Sequence, residues 1–181
     1  MKLSAIAVIS AFVAVTSAAT TPVSLGTTVQ SIMNDLTQIG AQFQAIDTLL
    51  NGFPANGVDA ANEIHEHDAQ NHVLFVQIND NLGLLPSPVP EADVKKIVAA
   101  YNAFTPTIID TLTQIATKAP DFESIGVAPT IQNDLILSDA SCKNFRIFVE
   151  GMTPPFMSAA VTNMFTSIDT ARDEAIAAFS S

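Results

Sequence analysis

Seven apolar residues, Val29, Ile32, Leu36, Ile39, Phe43, Ile46 and Leu50, stand alternately three and four apart. On an α-helix residues three and four apart lie above one another, so this spacing draws one apolar stripe along one face. A helix with such a stripe is marginal alone in water and must lay it against another apolar surface. The rest of the chain has to supply that surface.

It does so in four more segments. Asn51, Gly52 and Pro54 stop the first helix, because Gly tolerates the left-handed turn and Pro cannot continue the ladder. A second segment runs from Val58 to Leu82, with Asn56 and Asp59 as cap candidates, and ends before Gly83 and the prolines 86, 88 and 90. Its first half is polar, whereas Val73, Leu74, Phe75, Val76 and Ile78 are apolar nearly all round; helical flanks and the lack of a partner strand predict a buried helix there. The third segment opens with Pro90, Glu91 and Asp93, suited to a first turn, and carries Val94, Ile97, Tyr101, Phe104, Ile108, Leu112 and Ile115 on one face. Pro106 in its middle removes a backbone donor and crowds the preceding turn, which predicts a kink or break near Phe104 and Thr105. After a turn-rich link at Ala119 and Pro120, a fourth helix starts near Pro129 with Ile131, Leu135, Ser138, Cys142, Phe145 and Val149 in register. A fifth carries Met157, Val161, Met164, Ile168, Ala171 and Ala175 and finishes around Phe179. Short connections between five seams predict an all-α fold, an up-and-down bundle of about five amphipathic helices.

Lys2, the apolar run from Leu3 to Val15 and the small residues Ser17, Ala18 and Ala19 read as a secretory leader over residues 1–18. Residues 19–181 then form one domain of roughly 160 residues, released to the outside, with no later run apolar enough to span a bilayer. With Lys2 gone, six basic side chains face eighteen acidic ones. Such a surface repels phosphate backbones and anionic membranes, which argues against nucleic acid as a partner. Cys142 is the only cysteine, so no internal disulfide can form and packing alone holds the fold.

Catalytic signatures are missing. No Gly-x-Ser-x-Gly elbow and no Gly-rich phosphate loop occurs, and Cys142 on an apolar seam reads as a small buried hydrophobe. No catalytic residue, cofactor or metal is assigned. The cluster His65, Glu66, His67, Asp68 and His72 places His65, Asp68 and His72 on one helix face. A zincin would need His where Ala69 stands. A solvated half-helix is the default reading; a second lets His65, Asp68 and His72 converge on a metal, and a third makes His65 and His72 a polar anchor for a ligand carboxylate at the end of an apolar cavity. The lining of that cavity would be Phe43, Ile46, Phe75, Ile78, Tyr101 and Phe104, with Ile108, Leu135, Phe145, Met164 and Ile168 completing it. The same residues equally describe a filled core. Past the leader the chain has ten Phe, one Tyr and no Trp, a lining with few obligatory hydrogen bonds and tolerant of acyl chains. Apolar residues also lie off the seams, at Leu74, Val76, Val98, Ile109, Ile136 and Leu137, then Ile147, Phe148, Phe165 and Ile176.

Several stretches together resemble the fungal family of hydrophobic surface-binding proteins, which includes the Mp1-like cell wall galactomannoproteins. They are Ala61–His65, Phe104–Leu112, Lys118–Phe122, Val127–Leu135 and Ile168–Phe179. The resemblance implies a secreted, non-enzymatic helical bundle that adsorbs to hydrophobic surfaces and can help recruit secreted esterases there. In some relatives it also implies enclosure of fatty acids or other lipids between the helices. The alternative is a structural, antigenic cell wall protein with a filled core and no ligand. The chain departs from relatives that are tied to the wall in lacking a Ser/Thr-rich C-terminal extension, and the acidic, His-rich half-helix is unusual.

Overall fold

Helix boundaries fall where the prolines and glycines stand. The computed structural model describes residues 25–180, with α1 (Leu25–Gly52), α2 (Gly57–Gly83), α3 (Glu91–Thr117), α4 (Ala119–Ser124), α5 (Ala128–Met152) and α6 (Pro155–Ala178). The leader expected over residues 1–18 lies outside the described residues. Proline occupies the first turn of α4, α5 and α6, where its missing N–H has no partner to lose. Gly57 and Gly126, at φ +62° and +77°, take the left-handed turns before α2 and α5 that a side chain would resist.

Contacts between helices fix their directions. α1 and α2 are antiparallel: Gln42 meets Gln70 at 2.9 Å and Ser31 meets Asn81 at 3.3 Å. α5 and α6 are antiparallel too, with Glu150 on Thr162 and Cys142 on Arg172. α2 and α5 run parallel, through His65 on Asp134 and Asn79 on the Ser141 carbonyl. So do α1 and α3, where Asp47 accepts from Gln114 and the Phe53 carbonyl from Lys118. Lys95 over the Phe156 ring, with Tyr101 stacked on Phe165, aligns α3 with α6 in the same way. The chain thus goes up and down in sequence yet sorts into two layers. α1, α3 and α6 point one way with α3 in the middle; α2 and α5 lie side by side across from them and point the other. Gly40 permits the close approach of α1 and α3, since a Cβ there would sit 3.1 Å from the Phe104 ring.

Three details refine the expectations. Of the kink or break expected at Pro106, the break is absent and α3 runs through as one helix: the proline faces solvent, where water can take up the carbonyl it leaves unbonded. The Thr105 hydroxyl also donates to the Tyr101 carbonyl one turn back. The link after Ala119 contains a helix of its own, α4, started by Pro120 and Asp121 and anchored by buried Phe122. The apolar run in α2 is helical but not buried all round, for Val73 and Val76 are exposed while Phe75 and Ile78 fill the core.

Candidate lipid site

Phe165, Arg172 and Phe179 stand seven apart on α6 and its C-cap, which puts them at successive levels about 10 Å apart along the bundle. They mark three storeys. At the Phe165 level rings from four helices pack together: Tyr101 lies 4.8 Å from Phe145 and 5.5 Å from Phe165, and Phe75 meets Phe145 edge-on at 5.7 Å. At the Phe179 level Phe53 stacks on Phe122 at 4.3 Å, and Phe179 leans on Phe122 at 6.2 Å. Between these two aromatic floors, at the Arg172 level, the packing is incomplete.

There the structure encloses a cavity of about 20 Å³, lined by side chains of all five long helices. Its apolar wall comes from Phe43 and Ile46 on α1, Ile64 on α2 and Leu112 and Ile115 on α3, and α5 adds Ile131 and Leu135. Its polar wall consists of Asp68, Thr111, Asp134, Ser138 and Arg172. The space admits about one water molecule, so an acyl chain enters only if neighbouring side chains move apart.

The electrostatics of this level follow from burial. Desolvation raises the Asp68 carboxyl to a pKa of about 7; Asp134 pushes it the same way, while Arg172 and His65 oppose. Burial also raises Asp134, against the His65 ring 2.8 Å away. The Cys142 thiol is pushed up by burial and stays a thiol. Arg172 is only 2% exposed, and a guanidinium remains charged in any protein setting.

Of the lining expected from sequence, Phe43, Ile46 and Leu135 face the cavity. Phe75, Tyr101, Phe104 and Phe145 pack with one another and Phe165 in the aromatic floor, and Ile78, Ile108 and Ile168 are buried in the core around it. Met164 lies beside a separate shallow groove between α3 and α6, with Val98 and Met157. The two anchor histidines do not reach the cavity: His65 sits at its edge with a half-exposed ring on Asp134, and His72 accepts or donates at 3.3 Å with Ser141 between α2 and α5. The polar side chains that do reach it, Asp68, Thr111, Asp134, Ser138 and Arg172, are absent from that list. For Arg172 the sequence holds a signal, a cation four after Ile168 and three before Ala175, in the register of the α6 seam.

Half of the off-seam apolar residues are used inside. Phe165 is buried, and Leu74, Val98, Ile109 and Ile176 rest against the core. Val76, Ile136, Leu137, Ile147 and Phe148 remain exposed, together with Val73, on the two neighbouring helices α2 and α5. No helix of the described residues is long and apolar enough to cross a membrane.

Comparison with known proteins agrees with this architecture. A family profile for hydrophobic surface binding protein A matches residues 29–147. A comparison with curated proteins finds no match. Two solved structures are similar in fold. One is the crystal structure of Afmp4p in complex with palmitic acid, 20% identical, with a TM-score of 0.75 over 83% of this chain and 99% of that one. The other is ligand binding domain 1 of the Penicillium marneffei MP1 protein complexed with arachidonic acids, 15% identical, with a TM-score of 0.73 over 84% of this chain and 98% of that one.

Proposed function

The chain belongs to the hydrophobic surface binding protein A family, and from that premise we propose that it is a secreted, non-catalytic binder of fatty-acid-like lipids, which it takes up between its helices. The observation that carries this reading is the under-packed level between two aromatic floors, apolar on most sides and drawing its wall from all five long helices. Ligands in the two similar structures, palmitic and arachidonic acid, are of the chemistry such a wall would take. Each methylene moved from water to this wall contributes about 0.8 kcal/mol. A long acyl chain can therefore offset the displacement of side chains that its admission demands.

Mass spectrometry of organic extracts of the purified protein is expected to find acyl chains, and displacement of a fluorescent fatty acid from delipidated protein is expected to saturate near one site per chain. Unsaturable displacement with empty extracts would leave the wall protein with a filled core as the better reading.

A second reading, adsorption to hydrophobic surfaces, is favoured by the bare apolar side chains of α2 and α5, since patches of this kind mark interaction faces. Exchanging Leu137 and Phe148 for Asp together is expected to cut depletion of the protein by hydrophobic beads several-fold with helicity unchanged, both side chains being exposed. Equal depletion of variant and wild type would remove this face from the mechanism. Recruitment of secreted esterases to the coated surface, and association with the cell wall after release, extend the same reading. Co-sedimentation with the beads and fractionation of medium and wall read them out.

A further inference from the structure

We propose that Arg172 is the headgroup anchor of this protein, holding the carboxylate of a free fatty acid inside the bundle. The assignment rests on uptake of acyl chains between the helices and adds to it the class of lipid selected.

Arg172 is an ion short of hydrogen bonds. A charge removed from water has to be compensated by opposite charge and hydrogen bonds in good geometry. Arg172 is buried, yet its one hydrogen bond runs from Nη2 to the Cys142 sulfur at 3.3 Å, a weak acceptor. Nε and Nη1 have no hydrogen-bond partner. The carboxylates nearest Nη1 are Asp139 at 3.7 Å and Asp169 at 4.0 Å, too long for hydrogen bonds, and each shares its charge with a second cation through its other oxygen, Asp139 with Lys143 at 2.6 Å and Asp169 with Arg146. On α3, across the same cavity, Thr111 Oγ1 is likewise buried with no partner.

Two residues that line one small void thus keep buried donors without a hydrogen bond, Nε and Nη1 of Arg172 and the hydroxyl of Thr111. A carboxylate supplies what they lack, charged acceptor oxygens at hydrogen-bond distance. The other groups at this level do not compete for the role. Asp68 is a neutral acid up to about pH 7, and Asp134 is occupied by His65. The void holds about one water, so the head displaces that space at the Arg172 level and the tail parts the apolar wall. Neutral lipids of the same length, which bring no charge, leave the cation as underpaired as before.

The test is competition against a fluorescent acyl probe by palmitic acid, methyl palmitate and hexadecanol at pH 6, where Asp68 keeps its proton, on delipidated wild type, Arg172→Met and Arg172→Lys. Wild type is expected to prefer the acid over the ester and the alcohol by about 10- to 100-fold, the range of a charge-assisted hydrogen bond. Arg172→Met keeps an unbranched apolar stem without the guanidinium and is expected to bind all three at the level of the ester. Arg172→Lys is expected to keep part of the preference. A wild type that binds the three equally well, or a methionine variant that still prefers the acid, overturns the anchor and leaves uptake standing. A wild type that binds none of them overturns both. The wild-type ratio alone decides the matter should a variant fail to fold.

Discussion

Phe145→Ala is expected to lower stability by about 3–5 kcal/mol, or roughly 10 °C in Tm for a domain of this size. The ring is 0% exposed and touches Tyr101, Phe75 and Phe165 at centroid distances of 4.8, 5.7 and 5.9 Å. Its neighbours come from α2, α3 and α6, so no single helix can shift to close the hole without losing contacts on another. The loss therefore includes the unrelaxed cavity as well as the transfer of the ring to water. Phe156→Ala is the contrast, because that ring is 67% exposed and lies under Lys95; it is expected to change stability by less than about 0.5 kcal/mol. Denaturant unfolding of both variants checks the pair. A Phe145→Ala protein as stable as Phe156→Ala would mean that the aromatic floor is not the structural centre of the bundle.

Asp68→Asn is expected to stabilise the protein in a pH-dependent way. In the unfolded chain this carboxyl titrates near 3.8 and in the folded one near 7. Below about pH 4 both states hold the proton, and substitution changes little. As pH rises from 4 to 7 the unfolded chain releases its proton while the folded one keeps it, so the wild type loses stability over that window and is level above it. A displacement from 3.8 to about 7 corresponds to about 4 kcal/mol at most, trimmed by the solvent contact that Asp68 retains. Asn has no proton to lose. The groups facing the carboxyl, Asp134 on α5, His65 on α2 and Arg172 on α6, are the same in both proteins. Thermal unfolding should thus give equal Tm values at pH 4 and a gap in favour of Asn that widens to pH 7.5. A gap already full at pH 4, or one of the opposite sign, would refute the assignment.

Most of the fold is legible in the spacing of apolar residues. The seam from Val29 to Leu50 is buried along its whole length, and so are Val94, Ile97, Tyr101, Phe104, Ile108, Leu112 and Ile115 despite Pro106. The resemblance to hydrophobic surface-binding proteins, carried by helix-register patterns, holds as family membership. Periodicity says which side of a helix is covered but not by what, so the sorting into two layers with parallel neighbours could not be read. Hydropathy also does not distinguish a buried Val from a bare one, which is why Val73 and Val76 look like core in sequence and are exposed in the fold. The site was legible in part. Phe43, Ile46 and Leu135 face the cavity, but tracing a seam by apolar residues alone passes over Arg172, the charged residue that stands in it.

The line where α2 meets α5 is unequal along its length. Toward one end it is jammed by rings, Phe75 against Phe145; toward the other it is fastened by His65 on Asp134, beside Asp68. Both levels cover core, the first through its rings and the second through Ile64, Ile131 and Leu135, but only at the second does a half-exposed side chain close the line. The two helices are thus joined by an apolar lock at one level and a wetted latch at the other.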